Sequence, residues 1–229
     1  MPRRVEPEAL DFLEADDPAA RRSRNDLRRL HVAMTTVSIM KRALGPHLDR
    51  SPLRILELGA GDGSLALRFA SQCGPRLSPA SWTLLDRQDI VSDATLQGLQ
   101  ARGWAANGVT ADVFEFLARP TQGTWDIIVA NLFLHHFQGE ELARLMSAVA
   151  RSAPVFFCCE PRRSATALVG SHLVGLLGAG AVTRQDAVLS VHAGFRGREL
   201  SAAWPDPAAW VLDEYPAGLF SHCLLARKT

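Results

Sequence analysis

Leu53-Arg54-Ile55-Leu56-Glu57-Leu58-Gly59-Ala60-Gly61-Asp62-Gly63-Ser64-Leu65-Ala66-Leu67 is the stretch that decides the fold. Its first six residues form an apolar run of the length of a buried parallel strand. Three glycines at alternate positions follow, and a pattern with helical spacing resumes at Leu65, Leu67, Phe69 and Ala70. Strand, glycine turn and helix together open a nucleotide-type site. Glycine lets the backbone bend sharply and approach a ligand with no Cβ in the way. The start of the helix offers free N–H groups suited to an anion.

The glycine spacing narrows the ligand. A dinucleotide loop reads G-x-G-x-x-G. Here the third glycine comes one residue early, and Ser64 holds the dinucleotide position. Glu57 stands two residues before the first glycine. Asp86, which ends Trp82-Thr83-Leu84-Leu85-Asp86, lies where such folds place an acid to accept hydrogen bonds from both ribose hydroxyls.

Working outward, the residues before Arg24 read as a loose leader with a short apolar helix at Leu10–Leu13 that Asp16-Asp17-Pro18 ends. A single helix is expected from Arg24 to Leu44, stopped by Gly45-Pro46. Arg21, Arg22, Arg24, Arg28 and Arg29 make a basic cluster, either a solvated face or a lid over an acidic or aromatic substrate. After the glycine loop come a Pro/Gly/Ser-rich loop at Gly74–Ser81, the Asp86 strand and a helix over Ile90–Arg102 capped by Ser92 or Asp93. Trp104–Val109 is a weaker strand broken at Asn107-Gly108. Phe114–Leu117 is a short helix that Asp112 can cap. Thr124–Asn131 and Pro154–Pro161 are buried strands flanking a helix over Glu140–Arg151. Residues 163–178 look helical, Val182–Phe195 is ambiguous and Gly197–Ala203 is a short helix. Trp210–Tyr215 and Phe220–Ala226 close the chain as an antiparallel pair. Alternating β and α units argue for a parallel sheet with helices on both faces, whose ligands sit outside the carboxyl ends of the strands. Glu57, Asp86, Asp112, Asn131, His136 and Glu160 all fall at or just past strand ends.

Composition sets bounds. The 229 residues suffice for one α/β domain, and 47% hydrophobic with 21% charged residues is ordinary for a globular chain. A net charge of +1 gives no bulk field favouring nucleic acid or anionic lipid. The four cysteines form no CxxC pair, and Cys158 and Cys159 lie in an apolar run, so they read as core residues of a cytoplasmic protein. Met1–Asp17 has no apolar h-region, and no signal peptide is expected. No membrane span is expected either: the apolar stretch Ala165–Val182 is interrupted by Ser171, His172 and glycines.

The motifs ELGAGDG, LLDR, ADVFEF, WDIIVANLFLHHF and FCCEP resemble those of the class I S-adenosylmethionine-dependent methyltransferases. The segments NDLRRLHVAM, RQDAVLSVHAGF and GRELSAAW look similar to small-molecule members related to the ubiquinone/menaquinone type. The resemblance implies a Rossmann-like α/β fold: a seven-stranded, mostly parallel sheet with an antiparallel C-terminal strand and helices on both faces. It also implies one domain, with residues 1–46 as an N-terminal helical cap, 47–229 as the catalytic core and 163–203 as an insertion near the substrate pocket. S-adenosyl-L-methionine is the implied cofactor and S-adenosyl-L-homocysteine the product. Glu57, Gly59, Ala60, Gly61, Gly63, Asp86, Arg87, Asp112, Val113, Asn131 and Leu132 are the implied cofactor-binding residues. Glu57 would serve the cofactor's ammonium, Asp112 the adenine amine and the Val113 N–H a ring nitrogen. For Asp112 the helix-cap reading stays open beside this one.

Asn131-Leu132-Phe133-Leu134 lacks the N/D-P-P-Y/F box of amino-methylating enzymes, which disfavours nucleic acid as substrate. Asn131 and Glu160 do not form the carboxylate cluster of metal-dependent catechol enzymes, so no metal is expected. The expected reaction is methylation, most simply at oxygen, of a hydroxylated aromatic, polyketide or isoprenoid/quinone-type acceptor by a monomer or homodimer. A histidine suits removal of a phenolic proton. The candidates are His136 first, then His135 and His192, with His31 and His172 as pocket residues; transfer by proximity alone stays open. Met34, Ile39 and Met40 are expected pocket walls. The competing readings are an NAD-dependent oxidoreductase, a non-catalytic methyltransferase-like module and a protein or peptide methyltransferase.

Overall fold

A computed structural model of the chain describes residues 1–48, 52–73, 80–119 and 125–229. Seven strands form one sheet in the order β3-β2-β1-β4-β5-β7-β6. They are β1 (Leu53–Leu58), β2 (Ala80–Asp86), β3 (Trp104–Thr110), β4 (Ile127–Asn131), β5 (Val155–Pro161), β6 (Trp210–Ala217) and β7 (Ser221–Lys228). Strands β1 to β5 pair in parallel, and β7 runs antiparallel between β5 and β6. The order reverses between β1 and β4. That switch point is where an open α/β sheet leaves a crevice for ligand.

The helices follow as α1 (Pro18–Ala33), α2 (Thr36–Leu44), α3 (Ser64–Cys73), α4 (Asp93–Gln100), α5 (Val113–Ala118), α6 (Gly139–Ser152), α7 (Ala165–Leu173), α8 (Ala181–Ala193) and α9 (Glu199–Ala202). Alternation along β1 sends Leu53 and Ile55 to one face and Leu56 and Leu58 to the other. The first face buries Phe69, Trp82 and Trp104 among residues of α2, α3 and α4. The second packs against Leu142, Leu145 and Met146 of α6 and against Trp204 and Trp210. Cys158, Cys159 and Cys223 are buried free thiols, as read for the first two.

Four local readings need correction. The expected single helix over 24–44 begins earlier and is broken: Thr35 adopts a left-handed φ of 54° and separates α1 from α2. Asp17 does not end a helix. Its carboxylate accepts from the Ala19 N–H and, with Pro18 behind it, starts α1. Asn107 and Gly108 do not break β3, because Asn107 pairs in register with Thr83 and accepts from its hydroxyl at 3.1 Å. The ambiguous 182–195 stretch is helix α8 through Ala193; it buries Thr183, Asp186, Val191 and Ala193, and two of these four are polar, which blurs the apolar period. Of the expected loop Gly74–Ser81, residues 74–79 lie outside the described residues, and Ala80 and Ser81 already belong to β2.

Candidate functional site

Gly59, Gly61 and Gly63 all adopt positive φ, at 66°, 57° and 72°. A Cβ on Gly59 would stand 2.3 Å from the Phe133 ring, whereas one on Gly61 would meet nothing within 4 Å. The loop is thus packed on one side and open on the other. Asp86 crosses beneath it: one carboxylate oxygen accepts from the Gly61 N–H at 2.8 Å, the other from the Gln88 N–H at 2.9 Å. The Ala60 N–H donates to the Leu85 carbonyl.

Glu57 is 2% exposed, and its Oε2 has no hydrogen-bond partner among the described residues. Burial first, then the neighbouring charges of Asp62 and Asp86, push its carboxyl up to about 8. A buried acceptor with nothing to accept from is costly. At the mouth of a glycine loop, it suits a cationic ligand group that supplies both the charge and the hydrogen.

A cavity of about 750 Å³ opens beside the start of this loop, lined by Gly59, Asp86, Arg87, Asp112, Val113, Leu132, Phe133 and His136, with Val5–Pro7, Asp11 and Phe12 at its rim; Glu57, Ala60, Gly61, Gly63 and Asn131 lie behind its walls and do not line it. The volume is that of a ligand site, on the order of 300–1,000 Å³. Asp112 caps α5 through Oδ1, which accepts from the Phe114 and Glu115 N–H groups at 2.8 and 3.1 Å. Arg87 donates to the Asp11 carbonyl and carboxylate at 2.8 and 2.9 Å. It therefore ties the N-terminal segment across the cavity. Asn131 donates from Nδ2 to Nε2 of His31 at 3.1 Å, and its Oδ1 is buried without a partner. Burial holds His31 down to about 4, so its ring is neutral and can accept.

A second cavity, about 160 Å³, meets the first at Leu132, which lines both. Leu132 is a non-glycine residue at φ 51°, the kind of backbone outlier that accumulates at functional sites. The walls are mostly apolar: Leu27, Leu30 and Met34 of α1, Val174 and Leu177 beyond α7, and Val191 of α8. Of the three wall residues expected, Met34 lines it; Met40 is 1% exposed in the core and Ile39 packs against that core. Glu8 and Ser190 bring polar groups to one side, and Ser190 donates to Glu8.

The histidines separate by environment. His135 is 2% exposed and engages both ring nitrogens, Nδ1 with Glu160 Oε2 at 2.9 Å and Nε2 with Glu8 Oε1 at 3.2 Å. Burial works to lower its pKa, but the hydrogen bonds and charges of Glu160 and Glu8 outweigh it and push it up to about 9. His135 is therefore protonated at neutral pH and carries no free lone pair. Glu160 is held by the N–H groups of Phe133, Leu134 and His135. His136 lines the larger cavity, 3.6 Å from Asp11 through Nδ1. Burial, then the charge of His135 with the ring centroids 4.2 Å apart, lowers its pKa and leaves it neutral. His192 on α8 lines neither cavity, and His172 is exposed.

The leader is not loose over its first part. Arg3 donates to the carbonyls of Ala193 at 2.7 Å and Phe137 at 2.8 Å, and Asp186 accepts from the Ala9 and Leu10 N–H groups at 2.8 and 3.0 Å. This strap carries Glu8 into the site. One acid among the six of a polar leader gave no signal of that in the sequence. Glu8, His135 and His136 also bring one ligand-type atom each within 4.8 Å of one another. The arginine cluster divides: Arg28 pairs with Asp62 of the glycine loop at 3.2 Å, Arg24 bonds the Ala15 carbonyl, and Arg22 reaches the Gly178 carbonyl at 3.4 Å.

A Rossmann-like sheet with a glycine loop, an acid ending β2 and a cavity at the switch point is the architecture of the class I methyltransferases. Residues 55–153 match the family model described as a methyltransferase domain. The match spans less than half of the 229 residues, and it is to that stretch that the likeness applies. Solved structures share the fold. Magnesium protoporphyrin IX methyltransferase from Synechocystis PCC 6803 with bound S-adenosylhomocysteine is 16% identical, with 90% of this chain and 86% of that one covered, at a TM-score of 0.56. A SAM-dependent methyltransferase from Aquifex aeolicus is 11% identical, covering 82% and 89%, at 0.55. An O-methyltransferase family protein from Burkholderia thailandensis is 14% identical, covering 94% of this chain but 63% of that one, at 0.56. No curated protein sequence matches the chain. Among the described residues, no helix is long and apolar enough to cross a membrane.

Proposed function

We propose that the chain is an S-adenosylmethionine-dependent methyltransferase that modifies a hydroxyl of a small apolar acceptor, a hydroxylated aromatic, polyketide or isoprenoid/quinone-type molecule, releasing S-adenosylhomocysteine, and that it does not act on nucleic acid. The observation that carries the reading is the apolar cavity meeting the larger one at Leu132. Its volume of about 160 Å³ is on the scale of a cavity that admits one benzene ring, about 150 Å³. Enclosed apolar walls with few polar groups suit a small ring and not a polymer. The magnesium protoporphyrin IX methyltransferase with the same fold is likewise named for a small molecule.

Bound S-adenosylmethionine supplies a methyl group that its sulfonium already makes electrophilic. The chain supplies position and charge. Glu57 serves the ammonium, and Gly59, Ala60, Gly61 and Gly63 let the backbone come close. Asp86 takes the ribose hydroxyls, with Arg87 closing the strap beside it. Asp112 and the Val113 N–H face the adenine, while Asn131 and Leu132 form the wall toward the acceptor. His136 removes the acceptor's proton, because it is the neutral one of the adjacent pair and lines the cofactor cavity. His135, as a cation between Glu160 and Glu8, fixes the strap instead of acting as a base.

A screen of phenols with deuterated-methyl S-adenosylmethionine tests this by mass spectrometry. Methyl ethers of one-ring or two-ring phenols are expected. Transfer only to protein or nucleic acid would overturn the reading.

A further inference from the structure

The wall of the apolar cavity formed by α7 and the turn after it is one helix thick. Ala167, Gly170, Ser171 and Val174 face the cavity. The opposite side carries Val169, Leu173 and Leu176 at 60%, 50% and 83% exposure, and Leu177, 59% exposed, stands at the edge and lines the cavity as well. Val169 and Leu173 stand one turn apart on α7, and Leu176 and Leu177 follow on the 3-10 turn Val174–Leu177. Such a run of exposed leucines and valine is unusual on a water-facing surface and marks an interaction site.

The rim of this run is basic. Arg22 bonds the Gly178 carbonyl at 3.4 Å, directly after the exposed turn. A Cβ on Gly180 would meet the Arg22 side chain at 3.0 Å, and one on Gly175 the Arg184 side chain at 3.0 Å. Arg21, Arg22 and Arg29 line a shallow depression beside Gly178. Its one acid among the described residues, Asp26, is 3% exposed and takes up the Gly180 N–H, the Thr183 hydroxyl and, at 3.5 Å, the guanidinium of Arg29, whose side chain stays 66% exposed. From residue 161 to 185 the sequence has no Asp or Glu.

We infer that this face docks on an anionic lipid membrane. Its leucines enter the acyl boundary, and Arg22, Arg29 and Arg184 meet the phosphate headgroups, the arrangement by which interfacial helices bind. The near-neutral charge of the whole chain does not oppose this, because the positive charge is local. Leu177 both lines the cavity and is more than half exposed. It makes a doorway through which an apolar acceptor dissolved in the lipid reaches the site. The doorway rests on the acceptor reading above; the docking does not.

The test is co-sedimentation of the full chain with phosphatidylcholine vesicles, with and without roughly 30% phosphatidylglycerol. Binding is expected only to the anionic vesicles, weakening as salt rises. Leu173→Ser with Leu176→Ser should lower partitioning at least about tenfold, as should Arg22→Glu with Arg184→Glu. S-adenosylhomocysteine affinity should stay unchanged in both and so verify folding. No vesicle binding, or binding that both variants retain, would overturn the inference. So would a concentration-dependent dimer broken by Leu176→Ser in the absence of vesicle binding, because a second copy would then cover the face. None of these outcomes touches methyl transfer to soluble phenols, so failure here and failure of the acceptor reading are distinguishable.

Discussion

Glu57→Gln should stabilise the empty protein at neutral pH and weaken its grip on S-adenosylmethionine. In the folded chain, burial and the nearby Asp62 and Asp86 push the Glu57 carboxyl up from 4.5 to about 8. A raised carboxyl favours folding while it is protonated. That contribution is complete below pH 4.5 and is lost as pH rises through 8. At 1.36 kcal/mol per pH unit the full swing is about 5 kcal/mol, of which about 2.5 kcal/mol falls between roughly pH 5 and 7. Glutamine does not titrate. Urea unfolding of both proteins at several pH values should therefore show wild type losing about 2.5 kcal/mol against the variant over that interval. Calorimetric titration should show the variant binding S-adenosylmethionine at least about tenfold more weakly, because a hydrogen bond between charged groups contributes about 1.5–3 kcal/mol. A stability gap that does not change with pH, together with unchanged affinity, would refute the reasoning.

His136→Ala should cut turnover on the phenol found in screening by more than about tenfold while leaving S-adenosylhomocysteine affinity intact; a smaller loss removes the base assignment and leaves proximity as the mechanism. Glu160→Gln should destabilise the chain by about 3–5 kcal/mol in urea unfolding, because it leaves the His135 cation half-paired in the core; a loss below about 1 kcal/mol would show that the pair is not the strut described. Gly59→Ala should abolish cofactor binding in calorimetry, since its Cβ would sit 2.3 Å from the Phe133 ring at a φ of 66°; binding within about twofold of wild type would contradict the tight packing of the loop. Glu8→Gln should lower the pKa of His135, followed by the NMR titration of its ring, since one of two flanking charges is removed; an unmoved titration would mean that the strap does not reach His135 in solution.

The sheet was legible because strand and helix periods are local. The apolar runs at Leu53–Leu58 and Val155–Pro161 fall where β1 and β5 are, and the glycine loop marks the switch point beside them. What escaped was set by tertiary contact. Asn107-Gly108 reads as a turn until Thr83 pairs beside it. Asp17-Pro18 serves equally as a helix stop or a helix start, and the packing of α1 against α8 selects the start. The site divided in the same way. Glu57 and Asp86 stand next to strand ends, so their convergence follows from topology. Glu8 reaches the site from far along the chain, held by Arg3 and Asp186, and no short-range pattern could place it. His135 and His136 look equivalent in sequence. Glu160, brought alongside by β5, and Glu8, carried in by the strap, charge one ring, and the other stays neutral.

The most direct test of the central claim is a crystal structure with S-adenosylhomocysteine. The product should lie along Gly59–Gly63, its ammonium toward Glu57, its ribose on Asp86 and its sulfur facing Leu132. Density for the product anywhere else, with Glu57 still lacking a partner, would contradict the account.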